Sequence, residues 1–337
     1  MKRNILKFIC GIGLVCGLWS CENGSQSFPD YEGGTSVYFP YQYPIRTIVL
    51  GDDEYDLEEF DWAHKCQIKA TFGGSYNGSK GSVTVAVDES LCDNLYFKDG
   101  VTPVKAMPSS YYTLSTTELD FKGTMNGTTV VQLNDAFFND PDAVKTTYVI
   151  PLVITGQKGF GKILTGTLLN ENEKGSRTNS DLWDVKPMDF VLYCVKFQNK
   201  YSGFWLTNGT TSTPDVVRTN PQTVPEVEVK SLSLNTCSYH VSYQDGDKLL
   251  EADLMLEFDG SNNCKISSLT DGVTATGTGS WGDDSEKNAW GNKDRDGMEL
   301  NYSVTFANGK TFSTNEKMVW KRSGVTIEEF STVYVVK

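Results

Sequence analysis

Segments rich in Val, Ile, Thr, Tyr and Phe recur along the chain at a spacing of about ten residues, bounded by Gly, Asn, Asp and Pro, and no long stretch keeps a helical period. The pattern predicts an all-β protein. In the first half it predicts strands over 36–40, 46–50, 66–72, 82–88, 111–115, 118–121, 128–133, 148–155 and 190–197, with short helical turns at 90–95 and 135–138. The Asn126-Gly127 pair reads as a turn joining strands 118–121 and 128–133. Strand spacing and turn chemistry suggest an immunoglobulin-like β-sandwich, with strand 190–197 pairing against 148–155 as its last hairpin. Residues 157–187 break the pattern: the run from Asn170 to Ser180 has almost no apolar content and reads as a long surface excursion.

A second unit begins near Asn199-Lys200-Tyr201-Ser202-Gly203. Its predicted strands cover 202–207, 226–230, 237–243, 249–258, 264–267, 273–279, 298–306, 311–320 and 332–336. Turn pairs such as Asp259-Gly260, Asp271-Gly272 and Asn308-Gly309 follow several of them at short range. Such connections predict an antiparallel meander, closed into a lipocalin-like barrel or folded as a second sandwich. The expected division is therefore 35–198 for the sandwich and 199–337 for the barrel-like domain.

The first twenty residues behave differently. Met1-Lys2-Arg3 is followed after Lys7 by an uncharged apolar run that ends in Leu18-Trp19-Ser20-Cys21. This is the pattern of a signal peptide ending in a lipobox, the run being too short to remain as a spanning helix. Cys16 is a rival lipid acceptor, but Val15 stands where a small residue is needed and Ser20 supplies one before Cys21. Lipidation at Cys21 would leave residues 21–34 as lipidated cysteine and polar tether. The chain carries a net charge of −13, and loss of Lys2, Arg3 and Lys7 with the leader makes it more acidic. An acidic surface repels nucleic acid and anionic membranes, so the membrane is reached through the lipid. The remaining cysteines, Cys66, Cys92, Cys194, Cys237 and Cys264, are too scattered for a disulfide framework or a CxxC metal site.

Several strings in the first half are familiar together: Val37-Tyr38-Phe39-Pro40-Tyr41-Gln42, Arg46-Thr47-Ile48-Val49-Leu50-Gly51, Met107-Pro108-Ser109-Ser110-Tyr111-Tyr112 and Tyr148-Val149-Ile150-Pro151-Leu152. They resemble the N-terminal β-sandwich domain, of unknown function, of Bacteroidetes surface lipoproteins. Tyr193-Cys194-Val195-Lys196-Phe197 through Asn199-Lys200-Tyr201-Ser202-Gly203 resembles the junction into the C-terminal domain that follows it. The resemblance implies a glycan-binding protein at the outer membrane, facing the cell exterior, beside a SusD-like binder and a TonB-dependent transporter. The same domain type precedes some family 18 glycoside hydrolases, but this chain has no Asp-x-x-Asp-x-Asp-x-Glu run.

Sugar recognition needs flat aromatic faces against pyranose C–H groups, with polar side chains at the rim for hydroxyls. Trp281 and Trp290 bracket a polar loop holding Asp283, Asp284 and Asn288, which makes it the candidate carbohydrate platform, with Trp205 beside it. The competing reading makes both indoles core plugs at the barrel mouth. Trp320 reads as core, Trp183 as interdomain packing, and the Tyr38–Pro44 aromatic cluster as structural, with an exposed aromatic edge as the alternative. Tyr239 and Tyr243 alternate with His240, which therefore points to the opposite face. Two acidic segments carry enough oxygen for a hard cation: 52–61, which reads as a solvated loop, and Asn292-Lys293-Asp294-Arg295-Asp296-Gly297, which copies the opening of a calcium loop but reads as a turn into a strand.

No His-Glu-x-x-His, Gly-x-Ser-x-Gly or complete Gly-x-x-x-x-Gly-Lys-Ser/Thr motif is present, Gly156–Lys162 being followed by Ile163, and His64 and His240 are the only histidines. The expectation is a lipid-anchored surface protein that binds polysaccharide or oligosaccharide without cleaving it and needs no cofactor or metal. The alternatives are an adhesin with a protein partner and, further off, a divergent glycosidase with two facing carboxylates.

Overall fold

The computed structural model describes residues 29–53, 58–172, 175–211 and 226–336. The leader, Cys21 and most of the tether lie outside these residues. Among the described residues no helix is long and apolar enough to cross a membrane.

The first domain contains β1 (Ser36–Tyr38), β2 (Pro44–Val49), α1 (Glu58–Trp62), β3 (Lys65–Gly73), β4 (Ser82–Val87), β5 (Leu95–Phe97), β6 (Lys105–Ala106), β7 (Tyr112–Leu114), β8 (Glu118–Asp120), β9 (Asn126–Leu133), α2 (Asp135–Phe138), β10 (Tyr148–Lys158), β11 (Lys162–Ile163), β12 (Thr167–Leu168), β13 (Trp183–Val185) and β14 (Phe190–Gln198). One sheet runs β11-β1-β3-β9-β7, and the facing sheet includes β2-β14-β10-β4-β8. Their inner faces meet in a core that includes Val37, Ile68, Phe72, Phe121, Leu152 and Phe197. In β3 the residues alternate, Cys66, Ile68, Ala70 and Phe72 buried and the intervening side chains more open, as a strand with one face on a core requires.

The expected hairpin of β10 with β14 forms, with Val149 opposite Cys194 and Val153 opposite Phe190. The expected hairpin at Asn126-Gly127 does not form. Both residues lie inside β9, which pairs with β3 and β7, while β8 pairs with β4 in the other sheet. Here the chain crosses between sheets, turning at Lys122 and Gly123, both with positive φ. Gly127 allows that crossing, because a Cβ there would press on Leu119 O and the Phe121 ring.

The excursion is anchored. Arg177 Nε donates to both carboxylate oxygens of buried Asp189 at 3.1 Å, and Trp183 Nε1 donates to Ser176 O at 3.0 Å. Trp183 thus packs on its own excursion and not between domains, a correction to the sequence reading.

The second domain is a closed eight-stranded barrel: β15 (Gly203–Thr211), β16 (Val227–Ser231), β17 (Thr236–Asp245), β18 (Lys248–Phe258), β19 (Asn263–Ser268), β20 (Thr274–Glu286), β21 (Arg295–Thr305) and β22 (Thr311–Arg322), with β22 pairing back onto β15. Every pairing is antiparallel between successive strands, so the meander closes as a barrel and not as a second sandwich. Closure pairs every strand of the barrel on both sides, although β15 runs beyond its short pairing with β16 at Gly203–Trp205.

The chain does not end on the barrel. β23 (Glu328–Glu329) pairs with β2, and β24 (Thr332–Tyr334) pairs with β5. Phe330 is buried against Tyr43 and Phe97, with ring centroids 5.4 and 5.3 Å away. The expected boundary at 199–337 therefore changes: from about Glu328 onward the chain belongs to the sandwich. This return strap tightens the junction, where Lys196 pairs with Glu328 at 2.8 Å and Gln198 Nε2 donates to Ser323 O at 3.1 Å. Buried Asn199 caps the joint, its amide donating to Ser233 O and Thr236 O. All five cysteines among the described residues are free. Burial pushes the Cys66 and Cys194 thiols up to about 12, so they are poor nucleophiles and serve as core residues.

Candidate functional site

The platform expected on the barrel does not assemble. Trp281 faces the barrel interior and is buried, meeting the Tyr201 ring edge-on at 5.5 Å with Lys200 Nζ 4.3 Å above its face. Trp205 is fully buried, and Trp320, the residue opposite it on β22, is core as expected. Trp290 is half-buried, with Lys321 Nζ 4.7 Å over its ring. Asp283, Asp284 and Asn288 are exposed. No pair of open indole faces flanks them. The segment is the end of the β20–β21 hairpin, and its carboxylates are used in holding that hairpin: Asp296 Oδ1 accepts from the Asp284 N–H at 2.9 Å and Asp294 Oδ1 from the Asn288 N–H at 3.1 Å. Alternation along β20 puts Trp281 on the inner face, where an apolar ring is worth most.

This hairpin end does bring together the two acidic segments weighed as cation sites. Asp52, Asp284 and Asp296 place carboxylate oxygens within 4.8 Å of one another, Asp52 from the sandwich and the other two from the barrel. It is the one group among the described residues with ligand atoms close enough to share a cation. Three carboxylates are few for calcium, which takes six to eight oxygens. Asp296 is buried, and burial, reinforced by the charges of Asp52, Asp283 and Asp284, raises its carboxyl to about 7. A proton on Asp296 is the simplest way to relieve the crowding.

The most developed concavity with aromatic walls lies on the sandwich. Where the chain leaves β1 and crosses to β2 the two sheets part, leaving a groove of about 590 Å³. Tyr41 and Phe60 stand exposed at its mouth, and Arg46, Lys65, Lys69 and Asn126 supply polar groups around it. Ile327, on the returning strap, is 99% exposed beside the opening. Inside lie Cys66, Ile68 and the half-buried Tyr193, whose hydroxyl is raised by burial and by neighbouring Cys66. The walls are held firmly: Arg46 pairs with buried Asp61, which also accepts from the Val49 N–H at 2.9 Å. That pairing carries α1, and with it Phe60, onto β2. The Tyr38–Pro44 cluster thus divides. Phe39 and Tyr43 are structural, Tyr43 packing on Phe190 and Phe330, while Tyr41 is the exposed aromatic edge.

His240 lies on the outer face, its Nδ1 2.9 Å from Asp253 Oδ1, whereas Tyr239 and Tyr243 point inward. Inside the barrel, Tyr239 OH donates to Glu316 Oε1 and Oε2 at 3.0 Å and Tyr302 OH to Oε2 at 3.1 Å. Burial, with the Tyr239 and Glu316 charges beside it, raises the Tyr302 hydroxyl well above the phenol range. This polar knot is part of the packed interior and is not open to solvent.

A solved structure from Bacteroides ovatus, described as of unknown function, aligns with 91% of this chain and 100% of its own at 33% identity, with a TM-score of 0.81. The chain belongs to the same family as that Bacteroides ovatus protein. A family model for a domain of unknown function, DUF5627, matches residues 200–324, bracketing the barrel, and a model described as an N-terminal domain matches residues 31–161 in the sandwich. A multidomain protein including DUF1735, also from Bacteroides ovatus, is 13% identical over 85% of this chain and 93% of its own, with a TM-score of 0.40. No curated protein matches. In this family's chain the groove escaped the sequence reading because its lining is drawn from β1–β2, α1, β3, β14 and the strap. The one available signal was Tyr41, an aromatic between two short strands, next to Pro40.

Proposed function

We propose that the protein is a lipid-anchored, extracytoplasmic glycan-binding protein that holds its ligand in the sandwich groove without cleaving it. The observation that carries this reading is the groove mouth itself, where exposed Tyr41 and Phe60 offer flat apolar faces beside the hydrogen-bonding groups of Lys65, Lys69 and Asn126. Lys65 and Lys69 are cations in a chain of net charge −13, which favours a glycan bearing uronic acid or sulfate. Among the described residues the lining includes no carboxylate, whereas glycoside hydrolysis uses two.

The lipobox at Cys21 supports the lipid anchor alone; the proposed placement on the outer membrane, facing outward beside a SusD-like protein and a TonB-dependent transporter, is supported by the resemblance to Bacteroidetes surface lipoproteins. A tethered binder with a groove suits capture of a large ligand near the membrane. The test is affinity electrophoresis in gels cast with pectin, chondroitin sulfate or neutral plant glucans. Tyr41→Ala and Phe60→Ala are each expected to weaken retardation by about 5- to 30-fold, the loss of roughly 1–2 kcal/mol of ring stacking. Both side chains are exposed, so the thermal midpoint should stay within about 2 °C of wild type. Unchanged retardation in both variants would remove the groove from the reading, and capture of an envelope protein through the same two rings would favour the adhesin.

A further inference from the structure

We infer that the outer wall of the barrel carries a second ligand site, for a neutral polyhydroxylated chain, on the face of β15, β22, β21 and β20. It extends the glycan reading to a second contact, yet rests on different residues. The wall there is indented, forming a depression of about 480 Å³. Register places two rows of outward side chains across it: Asn208, Lys317, Glu299 and Ser280 in one, and Thr210, Asn315, Asn301 and Thr278 in the next. All eight are exposed.

Two features of this patch run against strand formation. Asparagine is depleted in strands, and three asparagines stand here in the middle of paired strands, two of them, Asn301 and Asn315, directly opposite each other. The reverse side is built from glycine. Gly209, Gly277 and Gly279 lie opposite Glu316, Tyr302 and Leu300, whose side chains are buried in the barrel, so these glycines face inward too. A Cβ on any of them would sit within 2.6 Å of a carbonyl oxygen on the neighbouring strand. Their bareness permits the close approach of β15 and β20 to the carbonyl groups of the neighbouring strands. A sequence that breaks strand propensity on one face and thins the wall beneath that same face does so where a surface has work beyond folding.

The occupant follows from the groups present. Amides and hydroxyls each donate and accept, and spaced along two strand-crossing rows they match a chain bearing hydroxyls on successive units. The patch carries one cation and two carboxylates, Lys317 pairing with Glu286 at 2.8 Å and standing opposite Glu299, so it offers no net positive charge to an acidic ligand. The patch offers no aromatic face, so recognition there is by hydrogen bonds.

The test uses the full chain in native gels cast with soluble starch, galactomannan, xyloglucan or dextran. The double variant Asn301→Val/Asn315→Val removes both amides while improving strand propensity, so it should melt no lower than wild type. Loss of two hydrogen bonds of about 1 kcal/mol each corresponds to roughly 5- to 30-fold weaker retardation by a neutral polysaccharide that retards wild type. Asn208→Ala, further along the patch, should weaken it less, by about 5-fold. Tyr41→Ala should leave a part of the neutral binding that the double variant removes. Wild-type migration of the double variant in every gel overturns the inference and leaves the groove reading standing, as does a wild type retarded by no neutral polysaccharide but by pectin. Loss in the double variant with no effect of Tyr41→Ala or Phe60→Ala in the neutral gels keeps the inference, and the groove reading then falls only if both variants also run as wild type in pectin and chondroitin sulfate.

Discussion

Replacing Glu316 by alanine is expected to destabilise the barrel by about 3–5 kcal/mol, from the loss of two hydrogen bonds to its carboxylate and from the cavity left behind. Tyr239 and Tyr302 both direct their hydroxyls at this carboxylate, at 3.0 and 3.1 Å, and both tyrosines are buried. The substitution takes away an acceptor that two hydroxyls share and leaves a void among Tyr239, Tyr302 and Met318, adding a cavity cost to the hydrogen-bond loss. Glu316→Gln keeps one acceptor oxygen and nearly the same volume, and should cost about 1–2 kcal/mol. Denaturant unfolding followed by tryptophan fluorescence measures both, since Trp205, Trp281 and Trp320 all report from the barrel core. An alanine variant within about 1 kcal/mol of wild type would mean that the knot contributes little and that the barrel interior repacks freely.

Stability should fall as pH rises from about 4 to about 7, and Asp296→Asn should remove most of that slope. With its carboxyl near 7 in the folded protein and at the ordinary carboxylate value in the unfolded chain, Asp296 binds a proton in the native state alone throughout this window. The unfolded state then holds fewer protons, so unfolding becomes easier by about 1.4 kcal/mol per pH unit, approaching roughly 3–4 kcal/mol over the window. Groups with lowered carboxyls, such as Asp140, which accepts from Tyr148 and Tyr111, act in the opposite sense and below this window: their stabilisation is full above the unfolded value and is lost as pH falls further. Asp61, raised by burial against the opposing influence of Val49 and Arg46, adds a background slope common to wild type and variant. Thermal melts of both proteins at pH 5 and pH 8, in EDTA so that no stray cation screens the cluster, give the comparison. The variant should equal or fall slightly below wild type at pH 5 and exceed it at pH 8; parallel curves would place the proton elsewhere.

The two faces proposed to contact glycan differ in how they depend on the fold. At the groove, Tyr41 and Phe60 are separated by strand β2 and reach one opening because buried Asp61 locks α1 to Arg46 and Val49. On the barrel wall the rows are a direct product of antiparallel register, each strand adding one side chain to each row. A one-residue slip of β21 against β22 would turn Asn301 inward and bring Tyr302 to the surface, so the register that buries Tyr302 against Glu316 also builds the outer patch.

What the sequence determined by itself was local. Alternation and turn residues set most of the longer strands, including the β10–β14 hairpin, whereas the short β5, β6, β11, β12, β13 and β23 escaped them and β15 and β20 run further than expected. The short Asp-Gly and Asn-Gly connections made the second domain a meander, and the spread of cysteines foretold free thiols. What the tertiary structure decided were matters of facing and partner at long range. Gly127 signals a turn by its dipeptide, but it sits in β9 because a Cβ there would meet Phe121 across the sheets. Trp281 and Trp290 flank the same polar run, yet strand phase buries Trp281 in β20 while Trp290 sits in a short turn beyond the strand and is half open. The strap that carries Ile327 to the groove and Phe330 into the sandwich lies more than 230 residues along the chain from the strands it pairs with, β2 and β5; no local propensity encodes such a contact, because it is fixed by the apolar area buried when the two ends meet.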